Sequence, residues 1–319
     1  MRRYLGAAAF SLAAGLALAT LAGYAASLGP ALETLTNFRL HLAVLAGALG
    51  LVAVLARLWR SAGLALLTAL IAVAGLGPAL ESAQRPGATP SEGDRVITLL
   101  YANLRGGNPE VAALTAMLRG VDADILITSE TTGPVVEGVD GLRAAYPYNF
   151  IRPGSGAVKR TAIWSKFPLL GGELYLNNTV APTAAVSTAD LGDGLMLGLI
   201  GAHFSRPFEG LHHIQADALG PIAARLGRPL VVAADFNAAP WSPLVARAAM
   251  ASGTRVLGGY RVTWKGEYLT PLGSVPELWG HQIDNLLLSD GIGVEMVETL
   301  ELPGSDHLGV FVRLRVPAP

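Results

Sequence analysis

The chain has 319 residues, a charged fraction of only 15% and a mean hydropathy of +0.44, and the absence of cysteine excludes disulfides and thiolate metal sites. Its net charge of −1 hides two unlike parts: residues 1–94 carry six arginines against four carboxylates, and 95–319 carry 17 basic against 20 acidic residues. The second part therefore lacks the basic excess of a domain that grips long nucleic acid by its phosphates.

Leu5–Leu28 is a 24-residue run without a charge, long enough to cross a bilayer as a helix. Arg2 and Arg3 precede it and Gly23-Tyr24-Ala25 is a small-x-small motif, as in a signal peptide, but the run exceeds a usual signal core and favours an uncleaved anchor. Leu40–Ala56 and Ala62–Leu80 are further apolar runs without the polar face of an amphipathic core helix. Residues 1–80 are therefore expected to be an all-α transmembrane region with three helices, at about 5–28, 40–56 and 62–80. Arg2, Arg3, Arg57 and Arg60 fall on one side of these spans, and Arg39 and Arg85 on the other. The positive-inside rule puts the N-terminus in the cytoplasm and the large domain outside the cytoplasmic membrane. Residues 81–94, ESAQRPGATPSEGD, read as a linker reaching at most about 45–50 Å, which keeps the domain beside the bilayer.

From residue 95 short apolar runs alternate with helical patterns. Strands are predicted at Val96–Ala102, Asp124–Ser129, Thr161–Ser165, Leu195–Ala202, Leu230–Ala233, His281–Leu288 and Leu308–Arg315. Helices are predicted over Pro109–Arg119, with Asn108 as N-cap, and over much of 209–226. Asn103, Glu130, His203 and Asp235 each follow an apolar run, a placement that gathers side chains at one edge of a sheet. Asp235 and Asn237, two apart, share a face if the chain is extended there. Asp284 stands inside a strand-like run, where a carboxylate needs a partner, and Ser305-Asp306-His307 precedes the last strand. Taken singly each has a plain reading: a loop acid, a turn residue, a satisfied histidine. As an ordered series they suggest metal-dependent phosphoester hydrolysis. Trp164, Trp241, Trp264 and Trp279 are candidates either for core packing or for a hydrophobic substrate groove.

The stretches YANLRG, ILITSE, TAIWSKFPL, GAHF, VVAADFNAAPWSP, QIDNLLLS and GSDHLGV run in the order found in the endonuclease/exonuclease/phosphatase superfamily, which the sequence resembles over nearly all of 95–316. Ala234 and Ser129 depart from the family's usual glycine and glutamine. The resemblance implies a four-layer α/β sandwich over 95–319, two mainly antiparallel sheets flanked by helices. It also implies a Mg²⁺ cofactor, replaceable by Mn²⁺, on Asn103, Glu130 and Asp306, with His203, Asp235, Asn237, Asp284 and His307 as catalytic residues. Three N-terminal spans before such a domain further resemble a bacterial membrane-bound branch, some of whose members act outside the cell on lipid-linked diphosphates. The expected partners are thus the lipid bilayer and a phosphorylated, amphiphilic substrate. A membrane-tethered nuclease, served by Arg152, Lys159, Arg160 and Lys166, and a non-catalytic binding protein retaining the fold are the alternatives.

Overall fold

The N-terminal apolar runs form helices whose packing is set by small side chains. In the computed structural model, which describes residues 2–84, 91–131, 138, 140–151, 161–175, 182–266 and 279–318, these helices are α1 (Arg2–Tyr24), α2 (Pro30–Thr36), α3 (Arg39–Leu55), α4 (Trp59–Ala74) and α5 (Gly77–Leu80). Ala13, Ala46, Ala53, Ala62, Ala65 and Ala72 are buried between helices, while Leu12, Leu18, Leu51, Leu55, Leu67 and Leu70 face outward. Of the single helices, Arg3–Tyr24 is long and apolar enough to be a membrane span or a signal sequence. α2 and α3 meet that test only together, and they are bent by 62°. α4, with 16 residues, is shorter.

The helix bounds differ from the predicted spans for local reasons. The first run stops at Tyr24 because Gly29-Pro30 starts a new helix, with proline at its first turn. The third stops at Ala74, and Gly77-Pro78 opens α5. At the domain-facing end Arg39 donates to the carbonyls of Gly75 (2.7 Å) and Gly23 (3.5 Å) and lies 4.4 Å from the Tyr24 ring centroid. This ties together the C-terminal ends of α1 and α4, where a cation is favoured. At the opposite end Ser61 donates to the Gly6 carbonyl at 3.4 Å.

The second part forms β1 (Arg95–Asn103), α6 (Val111–Val121), β2 (Ile125–Ser129), β3 (Tyr148–Phe150), β4 (Ala162–Ser165), β5 (Leu169–Tyr175), β6 (Thr183–Asp190) and β7 (Met196–His203). It continues with α7 (His212–Asp217), α8 (Leu219–Leu226), β8 (Leu230–Asp235), α9 (Pro243–Ser252), β9 (Arg255–Val256), β10 (Asp284–Leu288), β11 (Gly293–Glu301) and β12 (Leu308–Val316). One sheet has the order β11-β12-β1-β2-β4-β3 and the other β5-β6-β7-β8-β10-β9. Each has one parallel pair, β1–β2 and β7–β8, among antiparallel ones.

The sheets pack face to face through Leu99, Tyr101, Ile127, Val310 and Val312 of one and Leu199, Val231, Ala233 and Leu286 of the other. The outer faces are covered in turn: Leu100 and Leu126 meet α6, and Val232 and Ala234 meet α7–α9. Central strands buried on both faces explain the unbroken apolar runs, and each such Leu, Ile or Val contributes about 1.5–3 kcal/mol. The result is the four-layer sandwich that the resemblance implied. Close contact between the sheets requires Gly201: a Cβ there would lie 2.4 Å from Ile127 Cγ2.

Three local predictions need correction. Asn108 does not cap α6, which starts at Val111 after Glu110; its Oδ1 accepts from Glu110 N at 2.7 Å, while its amide bonds the carbonyls of Leu104 and Pro303. The helix of 209–226 is broken at Ala218 into α7 and α8. The strand from His281 begins only at Asp284, and His281 pairs with Trp264 in an isolated bridge.

The two parts are in direct contact. Trp241 Nε1 donates to the Thr36 carbonyl at 2.6 Å, Ser242 bonds Glu33, and Leu76 packs on Ala239 and Trp241. Of the predicted linker, residues 85–90 lie outside the described residues; Glu81–Ala83 run close against Gly258 and Gly259.

Candidate active site

The parallel pairs β1–β2 and β7–β8 end on the same edge of the sandwich, which is why polar residues far apart in sequence converge. Asn103 and Ser129 are register partners, as are His203 and Asp235. β10 runs antiparallel to β8, so Asp284 enters opposite Asp235, and β12 starts directly after His307. Asn103 Nδ2 donates to Asp235 Oδ2 at 2.9 Å across the two sheets. His203 Nε2 is 3.5 Å from both Glu130 Oε1 and Asp235 Oδ2, and His307 Nε2 is 3.9 Å from Asp235 Oδ2. Glu130, His203, Asp235, Asn237, Asp306 and His307 line one cleft of about 810 Å³, with Asn103 and Asp284 buried beneath it. All eight predicted residues are therefore brought together.

His307 and Asp284 form a buried pair. His307 Nδ1 donates to Asp284 Oδ2 at 2.8 Å, and Thr263 Oγ1 accepts from the backbone N–H of Asp284 at 3.0 Å. Burial by itself lowers the proton affinity of His307; the charges of Asp284, Asp235 and Asp306 and the bond to Asp284 outweigh it and raise the pKa. Burial also raises the Asp284 carboxyl, and the His307 charge opposes that. A charged imidazole presented to the cleft through Nε2 is the consequence. Ser305 sets its position: Ser305 Oγ donates to the Asn103 carbonyl at 2.8 Å and accepts from His307 N at 3.1 Å.

Asn237 reaches the cleft by a different route from the extended chain that the sequence suggests. β8 ends at Asp235, and Asn237 is left-handed, with φ 51°. Its N–H returns to Asp235 Oδ1 at 2.8 Å and its amide donates to the Phe204 carbonyl at 2.9 Å. Glu130 (φ 53°) and Arg105 (φ 58°) are left-handed as well, and all three line the cleft. Strain of this kind gathers where function over-determines the backbone.

The donor set fits a hard divalent cation. Asn103, Glu130 and Asp306 offer oxygen only, as Mg²⁺ prefers. Glu130 Oε2 is held by Gly106 N at 3.0 Å and Asp306 Oδ2 by Trp264 Nε1 at 3.0 Å, so both carboxylates are oriented before any ion binds. Asp235, Asp284 and His307 also have ligand atoms within 4.8 Å of one another. There, His307 Nδ1 and Asp284 Oδ2 are engaged in their mutual hydrogen bond, while His307 Nε2 faces Asp235 Oδ2 at 3.9 Å. We read that trio as acid–base machinery.

Several contributors were not singled out from sequence. Tyr101 is fully buried between the sheets; its OH lies 2.8 Å from Ser129 Oγ and accepts from Asp235 N at 2.6 Å. The departure to serine at 129 thus completes this link. The i, i+2 spacing of Tyr101 and Asn103 was the available signal. Thr34, Asn37 and Phe38 of the N-terminal helices also line the cleft. Of the tryptophans, Trp164 is core, Trp241 sits at the junction with α2, Trp264 lines the cleft and Trp279 stacks on His41. Arg152, Lys159 and Arg160 lie outside the described residues; Lys166 pairs with Asp122 at 2.8 Å.

The sequence model described as Endonuclease/Exonuclease/phosphatase family matches residues 100–307. No curated protein sequence matches the chain. Among solved structures it is similar to an endonuclease/exonuclease/phosphatase from Bacteroides vulgatus, at 15% identity and TM-score 0.57 over 70% of this chain and 100% of that one. Sphingomyelinase C from Streptomyces griseocarneus has 14% identity and TM-score 0.50, with 69% and 99% covered. A beta toxin mutant from Staphylococcus aureus with bound magnesium ions has 12% identity and TM-score 0.52, with 70% and 100% covered. At these identities the likeness is one of fold.

Proposed function

Since the chain belongs to the endonuclease/exonuclease/phosphatase family of phosphoester hydrolases, we propose that it is a membrane-anchored, Mg²⁺-dependent phosphohydrolase acting on an amphiphile, a lipid-linked diphosphate or a phospholipid. One observation carries this reading: the cleft that holds Glu130, His203, Asp235, Asp306 and His307 is walled on one side by Thr34 and Phe38 of the apolar N-terminal segment. A substrate held there meets the catalytic groups while its apolar part lies against the helices.

Residues 2–80 serve as the membrane anchor, with α1 the helix long enough to span alone and α2–α3 a bent pair. Small residues inside and large apolar ones outside are the pattern of helices packed in lipid. The α1 and α4 ends that carry Arg3 and Arg60 lie side by side, joined by the Ser61–Gly6 bond, as the positive-inside rule would have them if both are cytoplasmic.

In the reaction Asp235, anchored by Asn103 and by Asn237 N–H, accepts a proton from the attacking water. His307, held by Asp284, places positive charge against the phosphoryl oxygens. The Asn237 amide uses one N–H on Phe204 and keeps the second for a phosphate oxygen. His203, between Glu130 and Asp235, serves the leaving-group side. Glu130, Asn103 and Asp306 would hold the divalent ion, which when bound would supply Lewis-acid stabilisation of charge developing on the phosphoryl group.

The test is the full chain in detergent with Mg²⁺, offered dispersed polyprenyl diphosphate, dispersed phospholipids and plasmid DNA. Phosphate or head-group release with intact plasmid is expected. Plasmid cleavage that weakens steeply with salt, with the lipids untouched, would overturn the reading in favour of a nuclease.

A further inference from the structure

The contact between α2–α3 and the catalytic rim is specific, and it centres on one side chain. Asn37 occupies the bend between α2 and α3. Its Nδ2 donates to the Asn237 carbonyl at 3.1 Å, and its Oδ1 accepts from Ala239 N at 2.8 Å. A primary amide that bonds a carbonyl and an N–H two residues apart grips a backbone as a neighbouring strand would. The segment it grips is no longer in a strand: β8 has ended, and Asn237 is left-handed.

The other side of Asn37 reaches the opposite rim. Its backbone carbonyl accepts from His281 Nδ1 at 3.1 Å. His281 in turn forms an isolated bridge with Trp264, and Trp264 Nε1 holds Asp306 Oδ2 at 3.0 Å. A residue of the N-terminal segment thus joins the loop bearing Asn237 to the group that orients Asp306. Asn285 supports the same loop from beneath through the Ala238 carbonyl at 2.9 Å, so Asn37 adds the restraint from the cleft side.

We propose that Asn37 is a positioning residue of the active site, so that the N-terminal helices complete the catalytic centre as well as anchoring it. The inference rests on the hydrolase reading above. Asn37 touches no substrate in this role; it fixes the left-handed loop so that the Asn237 amide meets the phosphoryl group. Displacement of such a group by about 1 Å can cost on the order of a hundredfold in rate. Two neutral hydrogen bonds are a small part of the stability of a 319-residue chain.

The experiment compares the full-length wild type with Asn37→Ala, Asn37→Asp, Asn237→Ala and the double variant Asn37→Ala/Asn237→Ala. All are assayed in detergent with Mg²⁺ on polyprenyl diphosphate and on the small soluble diester bis(4-nitrophenyl) phosphate. Asn37→Ala is expected to lower kcat roughly ten- to a hundredfold with KM within about threefold. Added to Asn237→Ala, it should cost almost nothing more, because both act through one group. Asn37→Asp keeps the acceptor for Ala239 N but turns an acceptor-only carboxylate oxygen toward the Asn237 carbonyl, so it should retain the fold and lose at least as much kcat as Asn37→Ala. It is the variant that decides if Asn37→Ala does not fold. Wild-type kcat in Asn37→Asp and in folded Asn37→Ala, or losses that multiply in the double variant, would overturn the proposal. A wild type that turns over neither substrate would instead overturn the hydrolase reading, and this inference with it.

Discussion

Replacing Asp284 with asparagine removes one negative charge from the centre of the proposed chemistry and almost nothing else. Asp284 is 1% exposed, and its Oδ2 accepts from His307 Nδ1 at 2.8 Å. Asparagine has the same shape and keeps an acceptor for that N–H. With charge centres about 4 Å apart and an effective dielectric constant of about 20, the attraction lost by an imidazolium is about 4 kcal/mol. At about 1.36 kcal/mol per pKa unit this removes about three units and takes His307 from about 9 to about 6, so that only about 3% of it stays charged at pH 7.5 and the rate falls roughly thirtyfold.

Stability should respond differently. Replacing a buried ion pair by well-packed apolar residues of similar volume is often neutral or stabilising by about 1–4 kcal/mol, whereas leaving one partner alone and charged costs about 3–5 kcal/mol; beside asparagine His307 can become neutral and strands no charge. Asp284→Asn is therefore expected to lose roughly thirtyfold in kcat at about pH 7.5 with little change in Tm, and Asp284→Ala to lose both activity and Tm. Initial rates of phosphate release from dispersed polyprenyl diphosphate, beside thermal unfolding of the same samples, separate the two. Asp284→Asn within a few-fold of wild type would refute the view that a charged His307 takes part.

Chelation and acidity provide further checks. EDTA should silence the protein and Mg²⁺ or Mn²⁺ restore it; titration calorimetry should detect Mg²⁺ binding to wild type and not to Glu130→Gln, and equal binding to both would remove Glu130 from the ion. His212 and His281 have pKa values lowered by burial from 6.5 to about 4. The unfolded chain therefore takes up protons first as pH falls, so stability is full above about 6.5 and is lost toward pH 4. Each histidine contributes at most about 3 kcal/mol. The urea midpoint should fall between pH 7.5 and 4.5, less steeply in His212→Gln; the same slope in both proteins would show that His212 has no part in it.

What could be read from the sequence was whatever depends on neighbours along the chain. β1, β2, β7 and β8 are apolar because both faces are covered, so a polar residue at their ends marks the rim of the sandwich. That logic brought out Asn103, Glu130, His203 and Asp235. β6 was missed because TAAVSTAD is made largely of small side chains without a bulky alternation, and β11 because GVEMVETLE is largely exposed along its second half. Asn237 was found for the wrong reason: its face is set by a left-handed turn and not by the period of a strand. Trp264 acts through an isolated bridge, which no periodic pattern marks.

The least legible feature is also the one that joins the two parts. Glu33, Thr36, Asn37 and Arg39 read in sequence as a polar interruption between apolar runs, the usual mark of a loop in head-group water. Here Glu33, Thr36 and Arg39 are buried, and Glu33, Thr36 and Asn37 bond Ser242, Trp241 and the Asn237–Ala239 loop. Leaving buried polar groups unpartnered costs about 1–3 kcal/mol each. Within the contact Trp241 Nε1 and one Glu33 carboxylate oxygen find partners across the junction, so the two parts meet through specific polar bonds as well as apolar packing. A protein built as an anchor plus an independent hydrolase has no reason to keep such bonds. The proposed amphiphilic substrate would give this chain one, because the contacts that hold the domain against the helices also place Thr34, Asn37 and Phe38 in the wall of the cleft.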